Sequence, residues 1–198
     1  MTANQWDVGI FLFDDVEVLD FAGPFEVFSV TRLPNDKQPF SVKTVSETGN
    51  MINARNGLKV APDYSFQTMP PFDLLIIPGG LGARENEINN DRVITWISDQ
   101  MERVQLMTSV CTGALLLAKA GLLDGKRATT HWASIDRFKE KFPTVSVQQN
   151  VKFVDEGEVI TSGGISAGIN MSFHIVQRLL GREVAMETAK RMEYDIEL

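Results

Sequence analysis

Cys111 is the only cysteine in the 198-residue chain, and its position favours a reactive thiol. An apolar run ends at Val110, and Thr112-Gly113 opens a helical pattern, so we expect Cys111 on a strand-to-helix turn. Free backbone amides at a helix N-terminus stabilise thiolate, which is the nucleophilic form of cysteine. We therefore predict a catalytic nucleophile with a lowered pKa. The competing interpretation is a buried cysteine that packs as a small hydrophobic residue.

Asp20 is a single carboxyl in an otherwise apolar stretch, Val18-Leu19-Asp20-Phe21-Ala22. An unpaired carboxylate is costly to bury, so carboxyls in such surroundings often handle protons. The same residue could instead cap a helix that begins at Pro24, a favoured first helical residue. On position alone, the two roles are equally supported.

Gly79 and Gly80 follow the apolar run Leu74–Ile77 and Pro78, and their backbone amides could approach a ligand closely. With the amide of Thr112 they could bind a developing anion, although the glycines could also form no more than a tight turn. The run from Gly80 to Glu85 has only half of a dinucleotide-binding fingerprint, so NAD is not expected. We predict no cofactor and no metal.

Two histidines complete the set of candidate groups. His131 follows Thr129-Thr130, about twenty residues past Cys111, and could be a base or a hydrogen-bonded structural residue. His174 lies between Phe173 and Ile175 in a helical pattern, which favours a structural role.

Composition limits the class of protein. A length of 198 residues predicts one domain over 1–198. The net charge of −7 and the lack of a basic cluster oppose a nucleic-acid partner. A lone cysteine excludes an internal disulfide and cysteine-cluster metal sites, and no apolar stretch is long enough for a membrane span. We expect a cytoplasmic protein with a small-molecule substrate.

Strand patterns alternate with helical patterns along the chain, which predicts an α/β fold with a doubly wound, mostly parallel sheet flanked by helices. In such sheets ligands bind beyond the carboxyl ends of the strands, where the candidate residues lie. The predicted strands are 8–13, 40–45, 58–61, 74–77, 105–110 and 127–130, followed by a hairpin over 151–160. A first helix is predicted to begin at Pro24. Further helices are predicted over 91–104, with Asp91 as the cap, and over 112–120, 132–141, 165–180 and 183–194.

The chain resembles the ThiJ/PfpI superfamily, whose members have a class I glutamine-amidotransferase-like fold. The resemblance covers nearly the whole chain and implies a homodimer. It is carried by five ordered motifs: Asp20–Pro24 with Glu26–Phe28, Ile77–Gly80, Ser109–Gly113, Arg127–Trp132 and Ser162–Gly168.

Within the superfamily the sequence is most similar to the isocyanide hydratase branch, in which a thiolate attacks the isocyanide carbon and the thioimidate is hydrolysed to an N-formamide. The resemblance implies a nucleophilic Cys111 with Asp20 as its acid/base partner. It further implies that Thr112 contributes to the site, that Gly79 and Gly80 supply amides, and that Ile165 lies beneath the cysteine.

Other branches fit less well. Protease-like members have a histidine directly after the nucleophile, where this chain has Thr112, and glyoxalase or deglycase relatives carry a glutamate where this chain has Asp20. AraC-type regulators append a C-terminal helix-turn-helix domain, for which we expect no room beyond Leu198. A glyoxalase-like enzyme and a metabolite-sensing or redox-sensing domain remain the alternatives.

Overall fold

Short apolar runs form the centre of the fold. The computed structural model describes residues 5–197, and its central strands are almost entirely buried. Apolar residues occupy both faces of these strands, as expected when helices cover both sides of a parallel sheet. The strands are β1 (Trp6–Phe11), β2 (Phe40–Ser46), β3 (Ile52–Asn53), β4 (Lys59–Val60), β5 (Tyr64–Ser65), β6 (Leu74–Ile77), β7 (Leu106–Val110), β8 (Arg127–Ala128), β9 (Ser146–Val147), β10 (Phe153–Asp155) and β11 (Val159–Ser162).

Seven strands make the main sheet, in the order β10-β11-β7-β6-β1-β2-β5. All neighbours are parallel except β10 and β11, which form the predicted antiparallel hairpin. Strands β3 and β4 pair separately, as do β8 and β9. The prediction of an α/β fold with a mostly parallel sheet flanked by helices is confirmed.

The helices pack against this sheet in two groups, α1 with α6 and α7, and α2 and α3 with α4. Both groups contribute to one continuous hydrophobic core. The helices are α1 (Val18–Val30), α2 (Leu81–Glu85), α3 (Asp91–Met101), α4 (Gly113–Lys119), α5 (Ile135–Lys141), α6 (Ala167–Leu180) and α7 (Arg182–Arg191), with 3₁₀ turns at Arg55–Gly57, Glu87–Asn89 and Trp132–Ser134.

The first helix differs from the prediction that it begins at Pro24. α1 starts at Val18, so Pro24 lies inside the helix and Asp20 lies in its first turn. Proline has no amide to complete the helical hydrogen bond, yet burial of Phe21, Val27 and Phe28 on one side holds the helix through this position. Asp20 therefore does not cap a helix that begins at Pro24.

The cap of α3 also differs from the prediction. The side chain of Asn90, not that of Asp91, accepts hydrogen bonds from the amides of Arg92 and Val93 at 3.2 and 3.4 Å. Asn90 precedes the helix in an extended conformation, the geometry that a cap needs. Asp91 is the first helical residue instead.

Several other predicted boundaries shift by one to three residues, and β3, β5, β9 and α2 were not predicted from the sequence. No helix among residues 5–197 is long and apolar enough to cross a membrane. Residues 1–4 and 198 of the predicted domain lie outside the described range.

Candidate active site

Cys111 occupies a strained turn between β7 and α4. Its φ of +56° lies in the left-handed region, which non-glycine residues rarely adopt. The backbone around it is fully engaged: its amide donates to the carbonyls of Ser162 at 3.2 Å and Gly163 at 3.1 Å, and its carbonyl accepts from Thr130 Oγ1 at 2.7 Å. Strain of this kind persists only where neighbouring contacts fix it, and it is common at active sites.

Asp20 lies beneath this turn and is completely buried. The Gly79 amide donates to its Oδ2 at 3.0 Å, whereas Oδ1 has no hydrogen-bond partner. The Cys111 thiol and the Ile165 amide are close enough to favour the charged carboxylate, although neither meets hydrogen-bond geometry. Burial dominates and raises the pKa of Asp20 from an ordinary 3.8 to about 7. At neutral pH this carboxyl can both accept and release a proton.

The pKa of Cys111 moves in the opposite direction from the sequence prediction. Cys111 is only 6% exposed. Its burial is the largest cause, and the charge of Asp20 the next largest, of a thiol pKa well above that of a free thiol. The amide and hydroxyl of Thr112 favour thiolate but are outweighed. The prediction of a lowered pKa considered the helix N-terminus alone, and desolvation is the larger effect here. In the resting site the proton therefore stays on sulfur.

The two glycine amides that we expected to bind an anion already have partners. Gly79 donates to Asp20, and the Gly80 amide donates to Thr112 Oγ1 at 2.9 Å. The Thr112 hydroxyl in turn donates to the Gly80 carbonyl at 3.1 Å. No free donor for an oxyanion remains on these two glycines, so in this structure they position Asp20 and Thr112 instead.

His131 and Ile165 form the outer part of the site. His131 accepts a hydrogen bond from the Ala133 amide through Nδ1 at 3.3 Å, and its ring packs closely on Gly164. Burial and then the charge of Arg84 lower its pKa, so the ring is neutral at neutral pH. Ile165 has a φ of +55°, which is strained for a β-branched residue, and its side chain is 38% exposed.

These residues surround a pocket of about 200 Å³. A larger cavity, of about 950 Å³, lies near the Trp6 end of β1 and is lined by neither cysteine nor histidine. The candidate site is therefore identified by the reactive side chains in its lining and not by its volume. The pocket brings together residues from six separate segments: Glu17, Arg55, Gly80, Arg84, Cys111, Thr112, His131 and Ile165.

Three charged residues of this pocket were not predicted as site residues. Arg84 lies in α2, and this helix begins directly after Gly79-Gly80. The closeness of Arg84 to the glycine loop in the sequence was therefore a usable signal. Glu17 and Arg55 are paired at 3.6 Å, and nothing in their local sequence marks them.

His174 lies outside the pocket. Its Nε2 is 2.8 Å from Asp155 Oδ2, and its ring stacks on Phe153 with centroids 4.5 Å apart. These contacts agree with the predicted structural role. Among residues 5–197, no group of three or more histidine, cysteine, aspartate or glutamate side chains is arranged to hold a metal ion.

The fold and the site together define an α/β protein with a cysteine on a strained strand-to-helix turn above a buried carboxyl. The model of the DJ-1/PfpI family matches residues 7–178, and the chain belongs to this family. A ThiJ/PfpI family protein from Pseudomonas syringae has a similar structure, with a TM-score of 0.87 and 25% sequence identity over 98% of this chain and 77% of that chain.

Two relatives with assigned roles differ in what they do. The isonitrile hydratase of Pseudomonas putida is 34% identical over 188 residues, which cover 94% of this chain and 78% of the enzyme. The transcriptional regulator GbdR of Pseudomonas aeruginosa is 27% identical over 97% of this chain, but this chain spans only 52% of the regulator. The family thus includes both enzymes and regulators.

Proposed function

We propose that the protein is a cysteine-dependent enzyme that hydrates an isocyanide to an N-formamide, without a metal or organic cofactor. The observation that carries the proposal is the buried pair of Cys111 and Asp20, in which a carboxyl with a pKa of about 7 adjoins the only thiol. Similarity to an isonitrile hydratase over 94% of the chain supports this chemistry.

The first step forms a covalent thioimidate. The ionised Asp20 removes the proton from Sγ of Cys111, and the sulfur attacks the terminal carbon of the isocyanide. That carbon then takes the proton from Asp20, which gives R–N=CH–S–Cys111 and restores the carboxylate. Because the pKa of the thiol is raised, the resting pair already holds the proton that the carbon needs.

The second step consumes water. Asp20 takes a proton from the water that adds to the thioimidate carbon, and that proton moves to the nitrogen. As the tetrahedral intermediate collapses, its O–H proton passes through Asp20 to the departing sulfur, the C–S bond breaks, and R–NH–CHO and the thiol are released. One carboxyl therefore alternates between base and acid in both steps, which requires a pKa near the working pH.

Thr112, Ile165 and His131 have supporting roles in this proposal. The Thr112 amide stabilises negative charge on the sulfur during attack, and the Thr112 hydroxyl is held by the Gly80 backbone. Ile165 and the neutral His131 ring line the pocket around the substrate. Gly79 holds Asp20 through its amide.

A ligand-sensing domain is the second candidate function, and the observation that favours it is the similarity to GbdR. In that case Cys111 would be modified or a metabolite would bind without turnover. A glyoxalase-like activity is a third and weaker candidate, because the Asp20 side chain is one methylene shorter than the glutamate expected for that chemistry.

The test compares two substrates with one preparation. Formamide formation from an alkyl or aryl isocyanide should greatly exceed lactate formation from methylglyoxal, with the Cys111→Ala variant as the blank in both assays. Comparable or greater lactate formation would favour the glyoxalase candidate. Absence of both products would favour the sensing domain.

We also propose a homodimer, as the family resemblance implies. Two large apolar side chains on α1, Leu19 and Phe25, are each 37% exposed and could contribute to an interface. Sedimentation velocity at micromolar concentration should show a dimer, and a monomer would contradict this proposal. A cytoplasmic location and the lack of a nucleic-acid or membrane partner stay predictions.

A further inference from the structure

The lining of the pocket has an excess of positive charge although the chain as a whole carries a net charge of −7, and the buried Asp20 carboxyl lies beneath that lining. Its lining includes two guanidinium groups, Arg55 and Arg84, and one carboxylate, Glu17. The Arg55 Nε lies 3.6 Å from Glu17 Oε2, so these two charges largely offset each other. Arg84 is therefore the cation of the pocket that has no carboxylate partner within the lining.

The guanidinium of Arg84 also has an unused hydrogen-bond donor. Its Nε is buried and has no hydrogen-bond partner among the described residues. The Glu85 carboxylate is 3.9 Å away, too far for a hydrogen bond, and it is shared with Arg137 at 3.5 Å. The Nε itself is shielded from solvent, so the exposed remainder of the guanidinium is the part that can meet a ligand in the pocket.

The backbone of Arg84 is held in place. Its carbonyl accepts a hydrogen bond from Arg137 Nη2 at 3.2 Å, and α2 follows directly from the glycine loop that contacts Asp20 and Thr112. The charge of Arg84 also acts on His131, whose pKa it lowers after the larger effect of burial. Arg84 thus lines the same pocket as Cys111, and its backbone is fixed there.

We propose that Arg84 binds a carboxylate of the substrate, so that the preferred substrates are small isocyanides that carry an acid group. This inference rests on the proposed hydratase function for the identity of the reacting group. A guanidinium forms strong, charge-assisted hydrogen bonds to carboxylates, and the Arg84 side chain, which is 35% exposed, belongs to the lining of the pocket. The pocket volume of about 200 Å³ limits the substrate to a short chain between the two groups.

Binding can be tested without turnover. Isothermal titration calorimetry would compare N-formylglycine and N-formyl-β-alanine, the products expected from two acidic isocyanides of different length, with their uncharged amides. At least one acid should bind about tenfold more tightly than its amide, as expected for a hydrogen bond to a charged group. If neither acid binds more tightly than its amide, the inference is wrong.

Variants assign the preference to one residue. Arg84→Gln should abolish the preference for the acid, and Arg84→Lys should retain part of it because the charge remains. Arg92→Gln is the matched control, since Arg92 lies outside the pocket and pairs with Glu47 at 2.9 Å. A preference that persists in Arg84→Gln would overturn the role of Arg84.

Turnover separates this inference from the proposed function. Isocyanoacetate should have a lower KM than its methyl ester, and Arg84→Gln should raise the KM for the acid by about tenfold with little change in kcat. Hydration of neutral isocyanides without a preference for acids would overturn only the inference. Binding of acids through Arg84 without hydration of any isocyanide would support the carboxylate site and overturn the hydratase function.

Discussion

The Gly79 amide and the Asp20 carboxyl are joined by a buried hydrogen bond of 3.0 Å to Oδ2, and Oδ1 is left without a partner. This arrangement gives the two oxygens different roles. Oδ2 anchors the side chain, whereas Oδ1 keeps its hydrogen-bonding capacity unused. The raised pKa of Asp20 belongs to a buried carboxyl in which only one of the two oxygens has a hydrogen-bond partner.

Asp20 should make the protein less stable as pH rises. Because its pKa is about 7 in the folded protein and near 3.8 when unfolded, the folded state holds more protons between these values. The free energy of unfolding then falls as pH rises from about 4 to 7, by on the order of 4 kcal/mol in total. Asp20→Asn should remove this loss and be more stabilising at pH 8 than at pH 5.

Urea unfolding at both pH values would measure the effect. Asp36→Asn is the control because Asp36 is exposed. Equal effects of Asp20→Asn at pH 5 and pH 8 would show that the Asp20 pKa is not raised by folding.

Cys111 should react slowly with iodoacetamide at neutral pH. Burial and the Asp20 charge both raise its pKa, so the labelling rate should keep rising above pH 8.5, the usual value for a free thiol. Asp20→Asn removes the negative neighbour and should shift the labelling profile to lower pH. The lone cysteine makes the assay specific. A wild-type profile centred below pH 8.5 would contradict the structure.

Gly79→Ala should damage both the fold and the activity. A Cβ at this position would overlap the Thr112 amide and lie 2.6 Å from Thr112 Oγ1 and 2.9 Å from Cys111 Cβ. We expect a loss of about 1–3 kcal/mol in the free energy of unfolding, together with a large loss of turnover. In Gly163→Ala, the control beside the same turn, the nearest contact is an ordinary 3.5 Å. Equal stability of the two variants would contradict the close approach.

Thr130→Val should relax the strained turn. The Thr130 hydroxyl donates to the Cys111 carbonyl at 2.7 Å, and valine has a similar shape but no donor. The variant should lose about 1–3 kcal/mol of stability and much of its activity, because a buried acceptor loses its shortest partner. Thr144→Val, which removes an exposed hydrogen bond to Asp124, should change stability by less than about 0.5 kcal/mol. If Thr130→Val changed neither stability nor activity, the turn would not depend on this hydrogen bond.

The sequence predicted the parallel sheet and the position of Cys111 because apolar runs and their turns are local signals. It could not place Asp20 within α1, since burial of Phe21 and Phe28 overrides the usual preference of Pro24 for a helix start. The direction in which the Cys111 pKa shifts also could not be predicted from the residues next to it in the sequence. It depends on desolvation and on Asp20, which is 91 residues away in the chain.

The charged lining of the pocket was the least predictable part. Glu17, Arg55 and Arg84 come from three loops or short helices that the topology brings together at the ends of β1, β6 and β7. Sequence motifs identified the residues with fixed backbone geometry, and they did not identify the charged residues that line the pocket.

The rate of N-formamide formation by wild-type protein and by Cys111→Ala, measured by NMR with an isocyanide substrate, tests the central claim most directly. The account predicts that the variant keeps its fold by circular dichroism and loses at least about a thousandfold in rate, because covalent catalysis needs the sulfur. Substantial formamide formation by folded Cys111→Ala would contradict the account.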